Sequence, residues 1–364
     1  MIASRLRTAA LAFCAAAVCI AAASVAEADE PFYKGKRLTL LSNYAAGGPT
    51  DVEARLLARH LPKHIDGNPT IIVQNMEGGG GLIAVNYLAE VAPKDGSVVG
   101  YLTGATWRQV TDPERFRVDF RTYEFVGYQP GTTVYFMRAD VPPGMKEPTD
   151  IAKAQGLVAG GLNADNSKDL LIRLTLDMLG VPYKYVTGYV SSQSARLALQ
   201  RGEIHFYSES PPSYRGVIEP TLVKNGEVIP LFYNEGHDGE NFWVPKQVEG
   251  TSLISFSDLY KKIKGTAPSG PLWEAYLSII STNAAMQRMI AFAPGVPQAA
   301  VEALRAALLK LENDPAFAED ATKAIGFVPD FKAGPNTNRE VRQALSVRPE
   351  TKAFLADYVK QARK

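Results

Sequence analysis

The chain has 364 residues and a formal net charge of +1, with charged residues at 21% and hydrophobic ones at 46%. So even a balance gives no sign of a surface built to hold nucleic acid, and the mixture is that of a globular protein with a sizeable core. Both cysteines, Cys14 and Cys19, lie close to the N-terminus, so beyond them neither a disulfide framework nor a thiol nucleophile is available.

Residues 1–28 read as a secretory signal. Arg5 and Arg7 precede an apolar run from Ala9 to Ala23, and Ala26-Glu27-Ala28 offers small residues for cleavage. A membrane anchor fits less well, because the run is short and alanine-rich against the roughly 20 residues a span needs. The exported part then begins at Asp29 and holds 336 residues (364 minus 28), enough for two domains.

Residues 38–41 form an apolar strand that stops at the glycine turn Gly47-Gly48, and a helix begins near Thr50, where Thr50 or Asp51 caps its free amides. Residues 71–75 repeat the device. A strand runs into Gly78, Gly79, Gly80 and Gly81 and then into a helix over 82–90, with a third strand at 97–102. Successive strand–glycine–helix units imply a parallel sheet whose strands end at one edge. Unpaired amides at the helix starts, with the positive ends of their dipoles, make that edge a seat for an anion. Trp107 and Arg108 fall in the next loop at the same edge, where packing or solvated surface explains them equally well.

Extended runs at 125–128 and 133–137 lead to the break Val141-Pro142-Pro143-Gly144, after which the pattern restarts. A strand at 157–159 meets Gly160-Gly161, and a helix over 169–179 places Leu170, Leu171, Leu174 and Met178 on one face before Gly180 ends it. A strand at 184–187, a helix at 192–200 and a strand at 203–207 follow. A strand at 228–233 then carries the chain back. Helices are expected at 253–263, 271–290, 297–311, 315–325 and 349–362; the loop 234–249 has no assignment. The fold class is α/β, with two doubly wound lobes around a ligand cleft.

No catalytic constellation stands out. Gly79-x-Gly81-x-x-Ala84 meets a relaxed dinucleotide pattern, but no acidic residue follows near Gly100 to hold a ribose. His60 and His64 have helical spacing for a metal, yet Pro62 lies between them and no third ligand is in view. His205 sits in an apolar strand, and His237-Asp238 is a loop pair for which the sequence puts no partner in view. No Gly-x-Ser-x-Gly elbow occurs. An enzyme is therefore not expected, and neither is a cofactor or metal. The candidates are ligand-binding: Tyr44, Ala46, Gly47, Gly48, Asp51, the four glycines 78–81 and Trp107 from the first half. From the second come Gly161, Asn163, Asn166, Ser167, Tyr189, Ser191, Ser192, Gln193 and Ser208.

These loops resemble those of the Bug family, the solute receptors of tripartite tricarboxylate transporters. Residues 43–51, Asn-Tyr-Ala-Ala-Gly-Gly-Pro-Thr-Asp, are similar to the receptors' Pro-Phe-x-Pro-Gly-Gly-x-x-Asp, and residues 75–81 are similar to their Asn-Arg-x-Gly-Ala-Gly-Gly. Pro93-Lys94-Asp95-Gly96 and the run from Ala293 to Pro297 match two further motifs in the family's order. The resemblance implies a type II periplasmic-binding-protein-like fold and a periplasmic, monomeric receptor that closes on a small organic anion and hands it to integral-membrane permease subunits. It implies a first lobe of residues 29–134 and 235–364 and a second of 135–234, hinged near 130–140 and 228–236. The second lobe departs from the pattern: residues 160–166 stand where the family has Gly-Ser-x-Gly-x-Gly-Ser, Tyr189-Val190-Ser191 where it has Tyr-Lys-Gly, and His205 where an aspartate is common. The segment 234–270 is longer than usual. Two other readings are a ligand-loaded partner of a membrane sensor, and a periplasmic enzyme for which the sequence offers only unpaired candidates such as Glu209 and His205.

Overall fold

Each apolar run that ends in a glycine or polar turn becomes a strand feeding a helix. The structure, a computed structural model, describes residues 30–237, 240–283, 286–345 and 347–361; the signal-like segment 1–28 and Asp238 lie outside them. The chain begins β1 (Arg37–Ser42), α1 (Pro49–His60), β2 (Thr70–Asn75), α2 (Leu82–Glu90), β3 (Val98–Thr103), α3 (Ala105–Thr111) and β4 (Glu124–Gln129). It continues β5 (Val134–Arg138), β6 (Leu157–Gly160), α4 (Ser167–Leu179), β7 (Tyr183–Val186), α5 (Ser192–Gln200) and β8 (Phe206–Glu209). A π-helix, Tyr214–Val223, precedes β9 (Val228–Tyr233), a short hairpin of β10 (Gly236–His237) and β11 (Phe242–Trp243), α6 (Phe256–Lys264) and α7 (Pro271–Asn283). The chain closes with β12 (Arg288–Phe292), α8 (Gln298–Leu311), α9 (Pro315–Ile325), α10 (Thr337–Ala344) and α11 (Pro349–Gln361).

The strands form two five-stranded sheets of the same plan, in the orders β2-β1-β3-β12-β4 and β7-β6-β8-β5-β9. In the first, β1 pairs in parallel with β2 and β3, and β12 runs antiparallel between β3 and β4. In the second, β6 is parallel to β7 and β8, and β5 is antiparallel to β8 and β9. The expected class, α/β with two doubly wound lobes, is the one observed. Parallel strands leave their loops and helix starts at one edge of each sheet, and these edges carry the candidate site.

The expected helix over 271–290 is not continuous. It ends at Asn283, and Arg288–Phe292 is the strand β12. All five residues of β12 are buried, so no alternation of polar and apolar residues marks it as a strand, and Met286, Arg288 and Met289 are good helix formers. Strand β8 starts at Phe206, downstream of the expected position, and α10 was not anticipated.

Packing divides the C-terminal third between the two sheets. Met289, Ile290, Val301, Leu304, Phe317 and Val341 join the core of the first sheet, beside Leu38, Val85 and Val99. Phe256, Leu259, Trp273, Tyr276, Ile279 and Leu355 instead join Tyr135, Leu171, Phe206 and Phe232 of the second. Thus α6, α7 and α11, placed on the first lobe from the sequence, pack on the second. Strand β9 does not carry the chain back but closes the edge of the second sheet against β5. The aromatic side chains explain this division: Phe256 lies 5.1 Å from both the Phe232 and Tyr276 rings, and Trp273 stacks on Tyr276 at 4.9 Å. Large aromatic rings of this kind dominate core energetics.

Replacing Phe256 by alanine should cost about 3–5 kcal/mol. Urea unfolding followed by tryptophan fluorescence reads this directly, because Trp273 lies in the same cluster. A loss no larger than the roughly 0.5 kcal/mol of a surface substitution would mean that α6 is not part of the second core.

Candidate functional site

The loop from β1 to α1 is held from behind. Asn43 donates to the Thr103 carbonyl at 2.9 Å and accepts from the Thr103 amide at 3.0 Å, fixing the ends of β1 and β3 together. Asp51, third residue of α1, accepts from the Gly47 amide (2.8 Å), Arg55 Nε (2.9 Å) and Asn75 Nδ2 (2.9 Å). Asn75 also donates to the Tyr44 carbonyl at 2.9 Å. A carboxylate at this helix position satisfies free amides and complements the dipole. Burial alone would raise the Asp51 pKa, but the bonds from Arg55, Gly47 and Asn75 hold it below its ordinary 3.8.

The second lobe repeats the device. Asp169, third residue of α4, accepts from the amides of Leu162 (3.3 Å) and Asn163 (3.0 Å), from the Tyr185 hydroxyl and from Thr187 Oγ1 (3.4 Å). Burial pushes its carboxyl up, against the opposing effects of Tyr185 and Lys168. Asn166 caps α4 by accepting from the Asp169 amide at 2.9 Å, and Ser191 caps α5 by accepting from the Ser194 amide at 3.1 Å.

The N-caps of α1, α2, α4 and α5, namely Gly48, Gly81, Asn166 and Ser191, all line one cavity of about 460 Å³ between the two sheets. Glycine is needed where the first lobe closes round it. Gly80 has φ +63° and a Cβ there would stand 2.2 Å from Arg108 Nη2; at Gly81, φ +92°, it would stand 2.3 Å from Asn43 Nδ2.

Three cations reach the same cavity: Arg108 of α3, Lys168 of α4 and Arg288 of β12. Arg108 crosses between the lobes, its Nη2 donating to Asp165 Oδ1 at 2.9 Å with the guanidinium 2% exposed, while Nε and Nη1 have no acceptor. Lys168 Nζ lies 3.8 Å from Glu209 Oε2, and burial lowers its pKa while Glu209 opposes the shift. Arg288 Nε donates to Glu53 Oε2 at 2.6 Å and Nη2 to Ser210 Oγ at 3.3 Å. Burial raises the carboxyl pKa of both Glu209 and Glu53.

No protein-family model matches the chain, and no curated protein does. Solved structures do match. The periplasmic binding protein BugD aligns over 91% of this chain and 99% of its own, with a TM-score of 0.64 at 16% identity. The fold is that of a periplasmic binding protein. MatC from Rhodopseudomonas palustris, solved with bound malate, matches the fold over 89% of this chain and 99% of its own (TM-score 0.62, 18% identity). Rpa4515 of the same organism, solved with adipate, covers 90% and 97% (TM-score 0.65, 18% identity).

Within this periplasmic-binding fold, the cavity between the lobes gathers most of the residues picked from the sequence. Tyr44, Gly48 and the glycines 78–81 line it from the first lobe; Asn163, Asn166, Ser167, Tyr189, Ser191 and Ser192 line it from the second. The other candidates lie elsewhere. Ala46, Gly47 and Gln193 are exposed outside the cavity lining. Asp51 stands behind its loop, and Trp107 and Ser208 are fully buried, Trp107 in the second core. Gly161 faces Asp169, since a Cβ there would meet Oδ2 at 1.9 Å. The charged lining was missed in the candidate set: Lys168 sits beside a selected serine, and Arg288 lies in the stretch read as helix. His60 and His64 point to carboxylates of the first lobe, His60 to Asp320 at 2.9 Å with Asp314 at 4.0 Å, and His64 to Asp314 at 3.0 Å. Among the described residues no group of three metal-ligating side chains occurs.

Asp51→Asn should lower stability at pH 7 by about 1–3 kcal/mol, since it removes an acceptor from a buried loop network. Because the folded carboxyl titrates below 3.8, its contribution is complete above that pH and is lost as the pH falls through the lower folded value. Thermal melts run downward from pH 7 should therefore show the gap between wild type and variant narrowing once the pH falls below 3.8. A gap that stays constant with pH would show that the Asp51 charge does not hold the loop.

Proposed function

We propose that the protein is an extracytoplasmic solute receptor that captures a small organic carboxylate and delivers it to a permease of the tripartite tricarboxylate type. The observation that carries this reading is the convergence of four helix N-termini and three cations on one interlobe cavity. Free amides at helix starts, with the dipole behind them, bind anions without mobile charge. A cavity of about 460 Å³ suits a small acid, within the ordinary range for ligand sites. MatC and Rpa4515, which share the fold, were solved with malate and adipate.

In this reading Tyr44 and the glycines 78–81 hold the ligand from the first lobe, and Asn163, Ser167, Tyr189 and Ser192 from the second. A ligand touching both lobes binds the closed arrangement better than the open one and so shifts the population toward it. The closed lobes then present a surface to the permease. The receptor works in the periplasm after removal of residues 1–28, as a monomer, and performs no catalysis.

A thermal-shift screen of the chain from Asp29 onward tests this, with malate, adipate, citrate, aromatic acids, amino acids and neutral sugars as probes. A ligand at a hundredfold its Kd should stabilise by about 2.7 kcal/mol. Stabilisation by carboxylates and not by sugars is the expected result; stabilisation by sugars alone would sink the proposal. Gly80→Val should reduce affinity for any acid that scores at least tenfold, because its side chain would displace Arg108, while the circular dichroism spectrum stays unchanged. Unaltered affinity would remove the glycine loop from the site.

A further inference from the structure

Charge is distributed unevenly along the cleft. The three lining cations are deep, with Arg108 and Arg288 each 2% exposed and the Lys168 side chain 21% exposed. At the mouth the lining is Glu77, Gly78 and Gly79, all exposed, with Tyr189 half-buried and Val190 87% exposed. Among the described lining residues no cation lies at that end.

The deep cations are nearly neutralised. Arg108 meets Asp165, Arg288 meets Glu53, and Lys168 and Arg196 share Glu209, Arg196 at 3.4 Å. A further carboxylate, Asp169, is answered by two amides and two hydroxyls. Asp165, Glu53, Glu209 and Asp169 balance the four cations, so the deep cleft holds no surplus positive charge for a second carboxylate. What is unanswered is the donors of Arg108, since Nε and Nη1 are buried without an acceptor. An unsatisfied buried guanidinium donor is costly, and an oxyanion removes that cost. A second carboxylate at the mouth would lie beside Glu77 and against Tyr189, Val190 and Leu162, with the Ser191–Ser192 helix start for donors but no cation to pair with.

We infer that the cleft takes an organic acid with a single carboxylate, seated on Arg108, whose uncharged and apolar body extends past Tyr189 and Val190. This rests on the carboxylate-receptor reading and narrows it: the ligand differs in class from the dicarboxylates malate and adipate.

Isothermal titration of two matched pairs, benzoate against terephthalate and hexanoate against adipate, separates the possibilities. In each pair the monoacid should bind at least tenfold more tightly. Arg108→Met should weaken the monoacid at least tenfold. Glu77→Lys, at an exposed position that leaves the fold intact even if Arg108→Met does not fold, should raise diacid affinity by up to about fivefold and monoacid affinity by less. A diacid that equals or exceeds its monoacid in either pair overturns the inference and leaves the receptor reading standing. Binding by none of the four acids overturns it as well; the thermal-shift screen then decides separately whether other carboxylates keep the receptor reading alive.

Discussion

The site depends on one interaction used twice: a buried aspartate at the third position of the helix that follows the first parallel strand of each lobe. Asp51 and Asp169 each turn back to accept amides of the preceding loop, and each is held by a side chain from the end of the neighbouring strand, Asn75 beside β1 and Tyr185 beside β6. Strand order makes the repetition possible, because β2 flanks β1 as β7 flanks β6. The carboxylate occupies the protein side of the loop. The start of α1 and of α4 is thereby fixed with its other face toward the cleft, where the starts of α2 and α5 join them. These braces matter most where the loops are rich in glycine, since glycine loses more conformational freedom on ordering than any other residue.

A second constraint crosses between the lobes. Helix α3 belongs to the first lobe by sequence, following β3, yet Trp107 is fully buried in the core of the second and donates through Nε1 to the Asp165 carbonyl at 3.3 Å. Its neighbour Arg108 forms the interlobe pair with the Asp165 carboxylate. Breaking a buried pair by removing one partner is far more costly than its net contribution. The pair is therefore better described as fixing how the lobes meet than as a source of overall stability. It also couples that meeting to whatever anion reaches the remaining donors of the same guanidinium.

Much of this was legible in the sequence, for identifiable reasons. Alternating strands, glycines and capped helices announce parallel units, and Gly48, the glycines 78–81, Asn166 and Ser191 were found because helix N-caps have a restricted vocabulary. Asp51 and Gly161 were placed in the site because they belong to the same loops, but one residue's displacement along a loop turns a side chain from the cleft to its scaffold. Arg288 was out of reach: it opens a strand buried on both faces, and such a strand lacks the periodicity that distinguishes it from a helix. Lys168 adjoined a chosen residue, but nothing in the chain states that Glu209 will lie opposite it, 41 residues away (209 minus 168).

The same limit explains the division of the C-terminal third. Locally, α6, α7 and α11 read as ordinary amphipathic helices, and amphipathicity says that a face is buried without saying against what. Their destination is set by aromatic partners distant in sequence, Phe232 and Tyr135 for Phe256, Trp273 and Tyr276. As a result the chain returns to the first sheet only at β12 and crosses again before α11, so the lobes are joined by more connections than a two-strand hinge. Relative motion of the lobes must then bend these connections and withdraw Trp107 from the second core together.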